Sequence, residues 1–363
     1  MKHSHGRIVD VTSLLELDRH LDSGATSLAG WRVVGLDLTA RGPALLQRSL
    51  RQALFLGCEF AEGDDEAVRR AGAMVLHEIP GVPVDPYRAT LYSPGDLYDA
   101  PRYEDSLDAQ AYAWSRRGSS PDDTLAMALH DHQVDAALAA WVAGRDLVGV
   151  MGGHALERGA PAYADAARLG HALAGRLTVA TGGGPGAMEA ANLGAYVPAA
   201  HHLDAALARL AEVPSFTPDV GAWAHVALEV LGTTDGGRES LGIPTWHYGH
   251  EPPNVFATSI AKFFHNAPRE AVLLEVCNAG IVFLPGAAGT VQEVFQDACE
   301  NYYADPSSVA PMVLVGRRYW TEQLPVWPLL RALARDRAME ACVHLVDSIE
   351  EAVDVVAGAA TSR

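Results

Sequence analysis

Three glycine-rich segments of this 363-residue chain have the residue types that hold a phosphate. They are Met151-Gly152-Gly153-His154, Thr181-Gly182-Gly183-Gly184-Pro185-Gly186-Ala187-Met188-Glu189, and Leu284-Pro285-Gly286-Ala287-Ala288-Gly289-Thr290-Val291-Gln292-Glu293. Glycine lets the backbone approach an anion closely and adopt positive φ. A helix that starts directly after such a loop aims unpaired N–H groups and the positive end of its dipole at the anion. The hydroxyl of Thr290 adds a donor. A single loop of this kind reads equally well as a tight turn without a ligand. Two of them, each followed by a helix start, favour phosphate binding.

Other chemistries fit less well. Gly182-x-Gly184-x-x-Ala187 loosely matches the dinucleotide fingerprint, but it follows the second strand of its unit rather than the first. No strand ending in an acid lies about 20 residues beyond it, and Asp204, near that spacing, falls in a helical stretch. No Gly-Lys-Ser/Thr follows any of these glycines, so a Walker A loop is absent. A Gly-x-Ser-x-Gly elbow is absent too. His154, His201, His202, His247 and His250 show no HxxxH or Cys/His spacing, so neither a metal nor another cofactor is expected.

The loops are positioned by an alternation of apolar strands and helices that begins at Asp146. Strands are expected at 147–151, 177–180, 243–247, 279–284, 311–315 and 343–346. Helices are expected at 163–174, 185–196, 254–276, 289–302 and 348–357, with a mostly helical insertion at about 200–240. Strands this apolar, separated by helices, predict an α/β fold with a doubly wound, Rossmann-like parallel sheet covered on both faces. In such sheets ligands bind beyond the carboxyl ends of the strands, where the topology switches. Residues 1–140 read differently. Short strands are suggested at Trp31–Leu38 and Ala53–Phe60, helical spacing at 43–54, an irregular Pro-rich stretch at 79–101 and a helix at 125–141. No internal repeat is evident. The expected division is a smaller accessory domain at 1–140 and a nucleotide-binding domain at 141–363.

Half the chain is apolar (49%) and its formal net charge is −18, which disfavours nucleic acid and anionic membranes as partners. No apolar run approaches the roughly 18 residues of a bilayer span, and no apolar core follows the opening segment 1–7. Cys58, Cys277, Cys299 and Cys342 form no CxxC pair and read as buried free thiols. These features together predict a cytoplasmic protein.

Pro285-Gly286-Ala287-Ala288-Gly289-Thr290-x-x-Glu293 resembles the PGGxGTxxE motif of the LOG family, phosphoribohydrolases often misnamed lysine decarboxylases. Gly182 to Met188 resembles the family's GGGxxGLM loop. Gly152-Gly153 through Tyr163 and Leu169-Gly170 resembles its opening segment. Glu251-Pro252-Pro253-Asn254 is similar to a stretch of the long bacterial nucleotide 5′-monophosphate nucleosidases. The resemblance covers residues 146–357. It implies hydrolysis of the N-glycosidic bond of a nucleoside 5′-monophosphate, giving free base and ribose 5-phosphate, in a homodimer or higher homo-oligomer. The apolar helix at 291–299 is the candidate interface.

By that resemblance Glu293 is the carboxylate near the anomeric carbon and Arg269 the second catalytic residue. The nucleotide-binding set is Gly152, Gly153, Gly183, Gly184, Gly186, Met188, Asn254, Gly286, Ala287, Ala288, Gly289 and Thr290. Met188 packs either on the base or in the core, and Asn254 either touches the ligand or caps a helix. Two departures stand out. Ala287 replaces a motif glycine, and Glu270 replaces the lysine that follows the arginine. They leave a second reading, a nucleotide sensor or carrier that binds without cleaving.

Overall fold

The computed structural model describes residues 9–117, 120–234, 236–248 and 251–360; segment 1–7 and His250 lie outside these. The chain divides into two compact units, Met1–Ala89 with Ser119–Ala136, and Thr90–Gly118 with Ala137–Arg363.

The first unit is a repeat. Its strands β1 (Val9–Val11), β2 (Trp31–Val34), β3 (Leu54–Leu56) and β4 (Met74–Leu76) pair in parallel in the order β1-β2-β3-β4. Between them lie helices α1 (Leu14–Asp22), α2 (Gly42–Leu46) and α3 (Asp64–Arg70). Val9 pairs with Trp31, Val33 with Phe55 and Phe55 with Val75, at offsets of 22, 22 and 20 residues. Parallel bridges Ser27–Ser49 and Asp37–Glu59 extend the same 22-residue step. Gly35 and Gly57 both turn the chain at positive φ, 65° and 58°. One core runs through the stack, built from Leu28, Val33, Leu36, Leu50, Phe55 and Cys58. Each step thus cannot bury its apolar face alone and does so against the next. The sequence reading found no repeat, because equivalent positions match in apolar character rather than identity and the helices differ in length.

The second unit begins with the short helix α4 (Pro94–Leu97) and α5 (Leu107–Arg116). Helix α6 (Pro121–Val142) follows, its residues from Ala137 belonging to this unit. Its strands are β5 (Leu147–Met151), β6 (Thr178–Thr181), β7 (Leu241–Gly242), β8 (Ser259–Ile260), β9 (Ile281–Phe283), β10 (Met312–Val315) and β11 (Val343–Val346). Interleaved are helices α7 (Pro161–Leu173), α8 (Ala187–Tyr196), α9 (Ala200–Leu210), α10 (Val220–Gly232), α11 (Asn266–Glu275), α12 (Ala288–Tyr303), α13 (Val326–Ala334) and α14 (Ile349–Ala360). All seven strands are parallel, in the order β11-β10-β9-β5-β6-β7-β8. Alternate residues enter different layers. Val148, Val150, Val179 and Val282 join the core under α7, α8 and α14, whereas a Cβ at Gly149 would meet Cys277. This is the doubly wound α/β sheet expected from the sequence.

Helices α7 and α8 are in backbone contact. A Cβ on Gly194 would lie 1.7 Å from the Ala167 carbonyl oxygen, and one on Gly170 2.1 Å from that of Ala191. Gly194→Ala is therefore expected to destabilise the protein by about 1–3 kcal/mol or more, since two helices must part. A melting temperature equal to wild type would contradict this.

Several expectations change. The sheet unit resumes at Ala137, close to the expected boundary, but it also takes in Thr90–Gly118 from within the expected accessory domain. Tyr92 bridges Ile260 through both backbone bonds, and Tyr98 Oη donates to the Pro253 carbonyl at 2.6 Å. Residues 243–247 are not a strand. Pro244 interrupts them, and only Thr245 makes a bridge, to Phe263. Residues 254–265 are extended rather than helical, since a buried apolar run does not by itself separate strand from helix. Cys58 and Cys277 are buried, but Cys299 is exposed and Cys342 partly so. On α12, Val294 and Ala298 are buried in the chain's own core, Val291 and Phe295 are half-buried, and Gln292, Cys299 and Glu300 are exposed. Among the described residues no helix is long and apolar enough to cross a membrane.

Candidate active site

The sheet switches direction between β5 and β9, its two central neighbours. All three glycine loops leave carboxyl ends there, after β5, β6 and β9. They hold one another. Leu284 N–H donates to the Met151 carbonyl at 2.8 Å and Gly153 N–H to that of Pro285 at 3.3 Å. Side chains have no room between them, because a Cβ on Gly152 would come within 2.9 Å of Ala187 Cβ.

The two helix starts are not equivalent. Gly186, at φ 72°, begins α8, and a Cβ there would meet the Gly153 and His154 carbonyls at 2.5 and 2.6 Å. Ala187 N–H is already taken by the Gly153 carbonyl at 3.1 Å. Gly182 to Met188 are all buried. Gly183 N–H donates to Thr181 Oγ1, its carbonyl accepts from Asn254 N–H, and the Gly184 carbonyl accepts from Asn254 Nδ2. Asn254 thus holds the carbonyl side of this loop from within the chain, and Gly186 lines a cavity beside it. Neither helix has a side-chain cap, but at the start of α12 Ala287, Ala288 and Gly289 are exposed. Thr290 sits beneath with its Oγ1 against Gly286, where a Cβ would lie 2.1 Å away. Of the two helix starts, that of α12 is the solvent-exposed one, the geometry that suits an anion. Ala287 has φ −92°, outside the left-handed region that favours glycine.

Asn254 is neither ligand contact nor helix cap. Its Nδ2 donates to the Gly184 carbonyl and Asn192 Oδ1, and its Oδ1 accepts from Phe256 and Ala257 N–H. With every hydrogen bond used inside the chain, it ties the β6 loop to the extended segment. Met188 packs under the same loop, its sulfur 2.7 Å from where a Gly182 Cβ would be. That is the core reading of this residue.

Glu293 and Arg269 are both buried, at 8% exposure, on α12 and α11. Arg269 Nε donates to the Ile243 carbonyl at 2.7 Å and NH2 to that of Gly182 at 3.3 Å, while NH1 lies 2.8 Å from Glu270 Oε1. Glu270 thereby balances the charge of Arg269. Burial pushes the Glu293 carboxyl up to about 8; the Arg269 charge opposes this and Glu270 adds to it. Asp297, one turn on, is likewise pushed well up by burial. Thus Glu293 holds a proton at neutral pH, whereas the sequence suggested a carboxylate.

Sequence reasoning missed a buried ion pair behind the β6 loop. Arg158 binds both carboxylate oxygens of Glu189, one at 3.0 Å through Nε, and Tyr163 Oη donates to Glu189 at 2.9 Å. Arg158 also reaches the Val213 and Trp223 carbonyls, anchoring the insertion. No spacing in the sequence marks partners this far apart. A cavity of about 260 Å³ lies on this flank, lined by His154, Gly186, Glu189, Phe216 and Trp223. It shares His154 and Gly186 with the loops but includes none of Glu293, Arg269 and Thr290. His154 Nδ1 lies 3.6 Å from Glu251 Oε1 at the rim. Among the described residues no group of three or more His, Cys, Asp or Glu side chains is arranged to hold a metal ion.

No protein-family model matches this chain, and no match to a curated protein was found. Solved structures that it resembles include the molybdenum cofactor binding protein from the phototrophic bacterium Rippkaea orientalis. The two are 17% identical, the match covers 60% of this chain and 98% of that one, and the TM-score is 0.36. At that level of likeness the ligand of one says nothing about the ligand of the other.

Proposed function

We propose that the chain is a nucleoside 5′-monophosphate phosphoribohydrolase, as its resemblance to the LOG family implies. The observation that carries the reading is an uncapped, exposed helix start followed in its second turn by a buried carboxyl whose proton burial favours. The 5′-phosphate sits at Ala287 to Thr290. Glu293 gives its proton to the departing base nitrogen as the C1′–N bond breaks with its electron pair. The oxocarbenium-like sugar then takes water at C1′, and the water's proton returns to Glu293. Products are the protonated base nitrogen and ribose 5-phosphate, so the atoms balance. Arg269, fixed by two backbone carbonyls, offers its remaining N–H groups to the sugar or phosphate.

The decisive test is base release from AMP, GMP, CMP and UMP against the corresponding ribosides. Cleavage of monophosphates and not ribosides is expected. Binding of monophosphates by calorimetry without any base release would instead favour the sensor, for which the charge-balanced Arg269–Glu270 pair speaks.

A further inference from the structure

Helix α11 carries two buried oxygens that no described residue satisfies. Glu270 is 6% exposed. Its Oε1 accepts from Asn266 Nδ2 at 3.2 Å and faces Arg269. Its Oε2 is buried and has no hydrogen-bond partner among the described residues, and the same holds for Asn266 Oδ1. Asn266 Nδ2 also donates to Tyr248 Oη at 2.9 Å, and the acceptor-only carboxylate oxygen of Glu270 sets the orientation of the amide. Buried polar atoms are almost always paired, so two idle acceptors one helical turn apart fit a ligand with two donors.

We propose that Glu270 and Asn266 form the subsite for the vicinal 2′- and 3′-hydroxyls of the substrate's ribose, and so determine specificity for a ribonucleotide. This rests on the phosphoribohydrolase reading. Arg269 links Glu270 to the β6 loop, with NH1 on Glu270 Oε1 and NH2 on the Gly182 carbonyl, and α11 packs on α12, which carries Glu293. With Glu293 at the glycosidic bond, Glu270 meets the carbons beside C1′, where the available donors are hydroxyls. A cationic ligand is not called for, because Arg269 already balances Glu270. Hydrogen bonds to the 2-hydroxyl also strengthen as the oxocarbenium ion forms.

The near-isosteric Glu270→Gln variant tests this. Oε1 faces two donors, so the glutamine oxygen must stay there, which puts its NH₂ where the idle acceptor was. Measured would be kcat/KM for AMP and 2′-deoxy-AMP, and calorimetric binding of ribose 5-phosphate and 2-deoxyribose 5-phosphate. Wild type is expected to prefer the ribo forms by about tenfold or more, and Glu270→Gln to lower that ratio severalfold, because a neutral amide N–H replaces a charged acceptor at the hydroxyl. The effect of Glu270 on Glu293 is common to both substrates and cancels in the ratio. Asn266→Ala supplies a second variant, with the same fall expected. Base release from both nucleotides without discrimination keeps the phosphoribohydrolase and overturns the subsite. Preferential binding of ribose 5-phosphate without base release keeps the subsite and overturns the hydrolase. Equal binding of the two sugar phosphates, or a ratio unmoved by either variant, overturns the subsite.

Discussion

Glu293→Gln is expected to lower base release from the preferred monophosphate by at least about a hundredfold, with little change in KM. Removing a proton-transfer group from the transition state typically costs about 10²–10⁴ in rate. The side chain has the required environment, because burial holds its carboxyl protonated up to about 8. As a general acid, Glu293 also fixes the pH profile. Wild-type kcat/KM should fall above about pH 8, by roughly tenfold per unit, as the acid is lost. A rise through the same range would mean that Glu293 acts as a base. Stability carries the same signature. The folded protein keeps a proton that an unfolded glutamate releases near 4.5, so stability falls as pH rises from about 4.5 to about 8 and is level above. Asp297, also pushed up, contributes in the same direction. Glu293→Gln cannot titrate, and its melting temperature should decline less steeply between pH 5 and 8. A slope identical to wild type would sink this account of the site.

Lys262→Met is expected to destabilise the protein by about 3–5 kcal/mol, as breaking a buried ion pair does. Lys262 and Asp108 side chains are 1% and 2% exposed, with Nζ 2.5 Å from Oδ1. The carboxylate also accepts from Trp246 Nε1 at 2.8 Å and Tyr103 Oη at 2.7 Å. Around the pair, Trp246 stacks on Phe264 with centroids 4.5 Å apart, Trp114 meets Phe264 edge-on, and Lys262 Nζ lies 4.9 Å from the Trp246 ring. Methionine keeps the packing and leaves Asp108 charged and buried. The pair joins 90–118 to the sheet, so urea unfolding should shift to lower midpoint and protease should cut that segment sooner. The double variant Asp108→Asn/Lys262→Met should recover part of the loss, because no unpaired charge remains. A single variant within about 1 kcal/mol of wild type would show that the pair contributes little.

The alternation of apolar strands and helices from β5 to α14 was legible in the sequence because burial on both faces writes itself as local apolar runs. Glycine loops at strand ends were legible for the same local reason, and with them the position of the site at the switch between β5 and β9. The repeat of the first unit is written too, in Leu28 and Leu50, Gly35 and Gly57, but only parallel pairing reveals which residues are equivalent. What folding alone decided is which helix start is exposed. Asn254 reaches back 70 residues to satisfy Gly184, and the Gly153 carbonyl takes the first N–H of α8. Likewise Glu270 beside Arg269 looks in the sequence like a lost positive charge. Packing of α11 on α12 makes it instead a buried carboxylate paired with Arg269, with one oxygen that no described residue satisfies. Residue type and spacing fix local conformation, whereas desolvation and the pairing of buried polar groups depend on neighbours that only the folded chain supplies.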